Sequence, residues 1–241
     1  MTRNQIDVRA VVPDPAGQGE VETRVLVDGR PVICAAFDKG PAFCPEDLLA
    51  DERLHATDEP HEVRLAEANC TEDCCSALYV SIVREGDTVV WRDWRGTSAA
   101  APPAELCFDA AQYDAEIARA RADHTWEWAA RTVARLLRER LRTLPELLAR
   151  WECRPCWVAA RVNEPGQVRL CFSYPGEPSW TGKEPWLQFE QIITVDDAPP
   201  AEQTARAISR LEAADPRTLA RIVGGNRDSA ERLGFPWPER M

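Results

Sequence analysis

The side chains best suited to chemistry in this 241-residue chain are its nine cysteines. Five fall in two tight groups, Cys70-Thr71-Glu72-Asp73-Cys74-Cys75 and Cys153-Arg154-Pro155-Cys156. Thiolates about two to four residues apart can grip one zinc ion from a short turn. Cys70, Cys74 and Cys75 meet that spacing, with His61, Cys44 or Cys107 available as a fourth ligand, or with Cys153 and Cys156 completing a shared site. Glu72 and Asp73 would hold these thiols protonated, an effect that a bound dication reverses. The plain alternative is that the cysteines are small buried hydrophobes.

Cys153-Arg154-Pro155-Cys156, with Trp151 nearby, resembles the redox motif of the thioredoxin family. The resemblance covers four residues and implies a first thiol activated at a helix N-terminus. In that family the motif follows a strand and opens a helix; here a helical segment precedes it and Trp157–Val162 reads as strand. A second resemblance lies near the C-terminus. Leu219-Ala220-Arg221-Ile222-Val223-Gly224-Gly225, with Ser229-Ala230-Glu231-Arg232-Leu233, is similar to helix-turn-helix spacing over about 20 residues. It departs from that pattern at Gly225, where an apolar residue is usual. Gly234 and Phe235-Pro236-Trp237-Pro238 cut the second helix short, and its charges are mixed.

No HExxH, GxSxG, GxGxxG or phosphate-loop pattern occurs. The histidines are His55, His61 and His124, none beside a nucleophile in sequence. Arginine outnumbers lysine 27 to 2, so a Schiff-base lysine could only be Lys39 or Lys183. Nine tryptophans are the other unusual feature. Trp91 and Trp94 fall on opposite faces of one strand by the period of two, so one must leave the core. Trp180 sits in a Pro/Gly-rich loop. Trp91, Trp94 and Trp180, the first two beside Arg92 and Arg95, are therefore the candidate partner-binding residues.

The elements that must position these groups alternate between β and α. Val8–Val12, Thr23–Val27, Val32–Phe37 and Glu62–Ala68 read as strands, with Asp28-Gly29 as a turn. Pro45-Glu46-Asp47 opens a short helix through Leu54. Ala77–Arg84 and Thr88–Trp94 form a hairpin around Glu85-Gly86-Asp87. Asp109 and Gln112 give a capping start to a long helix whose apolar positions run from Tyr113 to Leu144, its arginines coating the wet face. Val168–Tyr174 and Trp186–Val195 join Trp157–Val162 in a three-stranded meander. Two or three short helices close the chain, with Asn226 as a cap and Gly234 as a stop. Each hairpin begins just after a close cysteine pair, a weak internal echo.

The fold class is thus α+β: antiparallel or mixed β-sheet regions, one long central helix and a small C-terminal helical cap. The segments are an acidic β-rich region with the cysteine cluster (1–105), the long helix with the meander (106–200) and the C-terminal helices (201–241). Residues 1–108 carry 20 acidic against 10 basic side chains, nearly the whole net charge of −11. Such a field repels a phosphate backbone, arguing against nucleic acid, and favours a basic protein partner. No run reaches the roughly 18 apolar residues of a membrane span. An odd cysteine count without an export signal points to the cytoplasm and reduced thiols. The expected function is a non-catalytic, soluble protein-binding role: adaptor, inhibitor or immunity-type partner. The alternatives are a structural zinc module on the cysteine clusters and an enzyme without a linear signature.

Overall fold

The structure is a computed structural model that describes residues 3–14, 20–50, 53–68, 76–99, 103–176 and 184–238. The chain divides into two compact units, Met1–Trp126 and Glu127–Met241. The first carries 24 acidic against 12 basic residues and the second 16 against 17, so the acidity belongs wholly to the first unit.

In the first unit, β1 (Ile6–Val11), β2 (Glu22–Val27) and β3 (Arg30–Pro31) form a small antiparallel sheet. Asp28 and Gly29 turn the β2–β3 hairpin with positive φ. The expected strand at Val32–Phe37 is instead a short helix, α1 (Val32–Ala36). Pro31 has no N–H for the ladder, so pairing stops there and a helical turn begins. A π-helical turn spans Glu46–Ala50. The second sheet is a four-stranded meander of β4 (His61–Glu67), β5 (Ala77–Glu85), β6 (Thr88–Arg95) and β7 (Leu106–Asp109). Asp109 accepts the Gln112 N–H and caps α2 (Ala110–Ala122). The core of this unit centres on Trp91, Phe108 and Tyr113, all fully buried. Tyr113 donates to the Leu54 carbonyl at 2.6 Å and accepts from the Trp91 indole at 3.2 Å.

The single long helix does not exist. Its residues form two helices, α2 and α3 (Ala129–Thr143), because Asp123 ends the first. The Asp123 carboxylate accepts the N–H and hydroxyl of Thr125, and its carbonyl takes the Trp126 indole N–H. An aspartate folded onto its own following backbone is a turn former that competes with helix. The boundary between the units falls at this break. Across the bounds expected at 105 and 200, β7 pairs with β6, and Arg221–Gly225 pairs with Leu187–Thr194.

In the second unit, α3 and α4 (Glu146–Ala149) precede β8 (Arg154–Ala159), β9 (Gln167–Tyr174) and β10 (Leu187–Thr194). Then come α5 (Pro200–Ala213), a 3₁₀ turn (Pro216–Thr218), β11 (Arg221–Gly225) and α6 (Arg227–Leu233). The sheet order is β11-β10-β9-β8, antiparallel throughout. Val168, Leu170, Phe172, Leu187 and Phe189 meet Val133, Leu137 and Ile208 in its core.

The segment that resembles a helix-turn-helix in spacing is not one, because Arg221–Gly225 is a strand. Gly224 and Gly225 serve close approach to β10 rather than a helical turn. A Cβ on Gly225, whose φ is +105°, would lie 2.7 Å from the Trp186 carbonyl oxygen. Asn226 does cap α6, and Gly234 ends it in the left-handed region. The internal echo does not extend to topology: β5 and β6 are central in their sheet, whereas β8 is an edge.

Candidate functional site

The pleat of β9 sends Val168, Leu170 and Phe172 into the core and Arg169, Cys171 and Ser173 to the opposite face of the sheet. Pairing assembles that face row by row. Trp157, Cys171 and Glu190 share one row, and Ala159, Arg169 and Ile192 the next. Ser173 and Gln188 pair above them, and Arg221 stands beside Glu190 on β11.

Its middle is a buried ionic network. Glu190, 5% exposed, accepts from Arg169 at 2.8 Å and from Arg221 at 2.6 Å. Arg169, 8% exposed, also grips Glu164 with two nitrogens at 2.8 and 2.6 Å. Burial pushes the Glu190 carboxyl upward, but the hydrogen bonds from Arg169 and Arg221 outweigh it and hold the group below its usual range. Lone buried charges are costly, and this network satisfies most of its own lone pairs.

Above the network sit two thiols. β8 carries a bulge between Pro155 and Trp157, which face Phe172 and Cys171. Strict alternation with Val158 would send Cys156 into the core. The extra residue instead re-aims it to the outer face, on the side of the sheet that Cys171 occupies. Cys156 is exposed and Cys171 fully buried. The Cys171 thiol, opposed by burial and aided by the Gln188 side chain and Arg154, lowers the pKa of Cys156 by donating to its sulfur. Cys171 is correspondingly raised, first by that same bond and then by burial. Ser173 adjoins the pair but spends a proton on the Gly176 carbonyl. Gly224 leaves the room that Gln188 occupies: a Cβ there would lie 2.7 Å from Gln188 Oε1.

Two apolar side chains flank this polar centre. Among the described residues four large apolar side chains are strongly exposed: Val12, Trp157, Ile192 and Leu219. Trp157, 39% exposed, and Ile192, 41% exposed, both stand on this face with β9 between them.

The residues singled out from sequence fare differently. Cys70, Cys74, Cys75 and Trp180 lie outside the described residues. Cys153 is buried in the helix-facing core and bonded to the Trp151 carbonyl, so Cys153 and Cys156 occupy opposite sides of the sheet. The bulge thus separates the thioredoxin-like pair, and burial raises Cys153 to about 12. Among the described residues no group of three or more His, Cys, Asp or Glu could hold a metal ion. Cys44 donates to Asp47 at 3.1 Å, and His61 contacts the Arg53 carbonyl at 2.9 Å. Trp91 is fully buried, leaving nothing of it to meet a partner in the folded unit. Trp94 is half-buried and packs on that core. Arg92 and Arg95, expected beside exposed tryptophans, are held by Glu85 and Glu62.

No motif or local pattern in the sequence marks Cys171 or Ile192, which strand pairing brings onto the outer face with Trp157. For Trp157 a signal exists, since Val158, Ala160 and Val162 alternate inward and so turn Trp157 outward. No family model, curated protein or solved structure matches the chain.

Proposed function

We propose that this chain is a non-catalytic protein-binding protein that receives its partner on the outer face of the β8–β11 sheet. One observation carries the reading: Trp157 and Ile192, two exposed apolar side chains, flank a buried Arg169–Glu190 pair that the exposed Arg221 joins on one surface. Binding hot spots combine an aromatic or aliphatic anchor with charges already shielded from water. Soluble proteins leave single apolar side chains exposed without consequence; two on one ordered sheet face are a stronger mark. The strongly acidic first unit favours a basic partner and would speed its encounter at low salt.

The test is binding by variants whose fold is verified. Trp157→Ala should weaken capture of the partner by about 30-fold, the equivalent of roughly 2 kcal/mol for one hot-spot truncation. Leu219→Ala, an exposed apolar residue outside the strands of this sheet, serves as the control and should leave capture unchanged. Equal capture by wild type and Trp157→Ala would remove this face from the account. Raising ionic strength should slow association more than it speeds dissociation, since long-range steering is screened first.

A further inference from the structure

From the bulge that places an exposed cysteine across from a buried one on the neighbouring strand, we infer that Cys156 and Cys171 form a thiol–disulfide exchange site that reacts with small-molecule disulfides. This goes beyond the partner-binding reading and stands whether or not a partner binds there. Three features of the fold carry it. The bulge in β8 gives Cys156 and Trp157 jointly the position opposite Cys171, so the two cysteines belong to adjacent strands. Neighbouring strands lie about 4.8 Å apart, within the Cα separation of roughly 4.4–6.8 Å that a disulfide spans. Of the two, only Cys156 is exposed, its sulfur 3.9 Å from the Arg154 carbonyl oxygen, while Cys171 is buried on the same face. That division supplies an attacking thiol and a resolving thiol. The lowered pKa of Cys156 agrees with this assignment, because the thiolate is the nucleophile.

The reaction balances without any group from outside except the disulfide itself. The Cys156 thiolate attacks one sulfur of RSSR, forming a Cys156–SR bond and expelling RS⁻. Cys171 then gives its proton to the departing RS⁻ of the second step as its sulfur attacks that of Cys156. The Cys156–SR bond breaks, the Cys156–Cys171 bond forms and a second RSH leaves. Two protein thiols are oxidised and one small disulfide is reduced to two thiols. Cys153 takes no part, being on the core side of the sheet.

Glutathione disulfide is the probe. The fully reduced full-length chain is exposed to it for graded times, quenched by alkylation, digested and mapped by mass spectrometry. Wild type should yield a Cys156–Cys171 cross-link with two equivalents of glutathione released. Cys156 should react about tenfold faster than the exposed Cys34, which serves as an internal reference. Cys171→Ser should halt at a glutathione adduct on Cys156, and Cys156→Ser should leave Cys171 unmodified. The wild-type experiment decides the matter even where a variant misfolds. A stable Cys156 adduct in wild type with Cys171 still free would overturn the inference. So would Cys156 reacting no faster than Cys34, or a cross-link joining Cys156 to any other cysteine.

Discussion

Arg138 on α3 donates a guanidinium N–H to the main-chain carbonyl of Val158 on β8 at 2.7 Å. Two turns earlier on the same helix face, Arg131 does the same for Ala160, just past the end of β8, at 3.0 Å. β8 is an edge strand, and an edge presents carbonyls and N–H groups that would otherwise seek another chain. The first unit uses a related device: Glu116 of α2 accepts the Val8 N–H at 2.7 Å, and Arg119 donates to the Val8 carbonyl at 2.6 Å. In both units, charged helix side chains stand where a further strand would pair. Arginines expected to coat a wet helical face therefore serve the backbone, and Arg131 is only 9% exposed.

Replacing Arg131 with methionine keeps the aliphatic stem but strands the Ala160 carbonyl. A buried acceptor left without a donor costs about 1–3 kcal/mol, and the urea midpoint should fall accordingly. Arg140→Met, an exposed change on the same helix, should stay within about 0.5 kcal/mol of wild type.

Tyr113→Phe tests the core of the first unit. The hydroxyl is the acceptor for the Trp91 indole and the donor to Leu54, and removing it leaves both groups buried without that partner. A loss of about 1–3 kcal/mol per stranded group is expected, measured by chemical denaturation with the Trp91 environment followed by fluorescence.

Glu190 predicts a pH dependence. Its carboxyl is held below the usual range in the folded chain, so its contribution is complete above the unfolded value, about 4.3. That contribution fades as pH falls through the lower folded value. Glu190→Gln should cost stability at pH 7, toward the low end of about 3–5 kcal/mol because Glu164 still neutralises Arg169. The gap between wild type and variant should narrow on acidification. A gap that holds constant to pH 2 would contradict the ionic role.

Much of the β architecture was legible because local signals agreed with the final packing. The β5–β6 hairpin, the turn at Asp28-Gly29, the Asp109 cap and the Asn226 cap each follow from a few adjacent residues. The errors arose where a distant contact decided. Gly224-Gly225 falls inside the segment that resembles a helix-turn-helix, yet in the structure β10 lies against it. The Tyr113–Leu144 periodicity survives through a break, because Asp123 forms its turn without disturbing the apolar pattern on either side. The site was half legible. Cys153-x-x-Cys156 reads as a pair in the sequence, whereas the bulge and the strand pairing set Cys156 beside Cys171 instead. Trp91 reads as a surface candidate from its strand position, but its place in the aromatic cluster with Phe108 and Tyr113 buries it.

The most direct test of the account is site-specific photo-crosslinking from position 157 in the full-length chain, compared with the same probe at position 219. The account predicts one dominant cross-linked protein from position 157, absent at 219 and competed away by unlabelled wild type but not by Trp157→Ala. No cross-link at 157, or the same products from both positions, would contradict a partner surface on the outer face of the β8–β11 sheet.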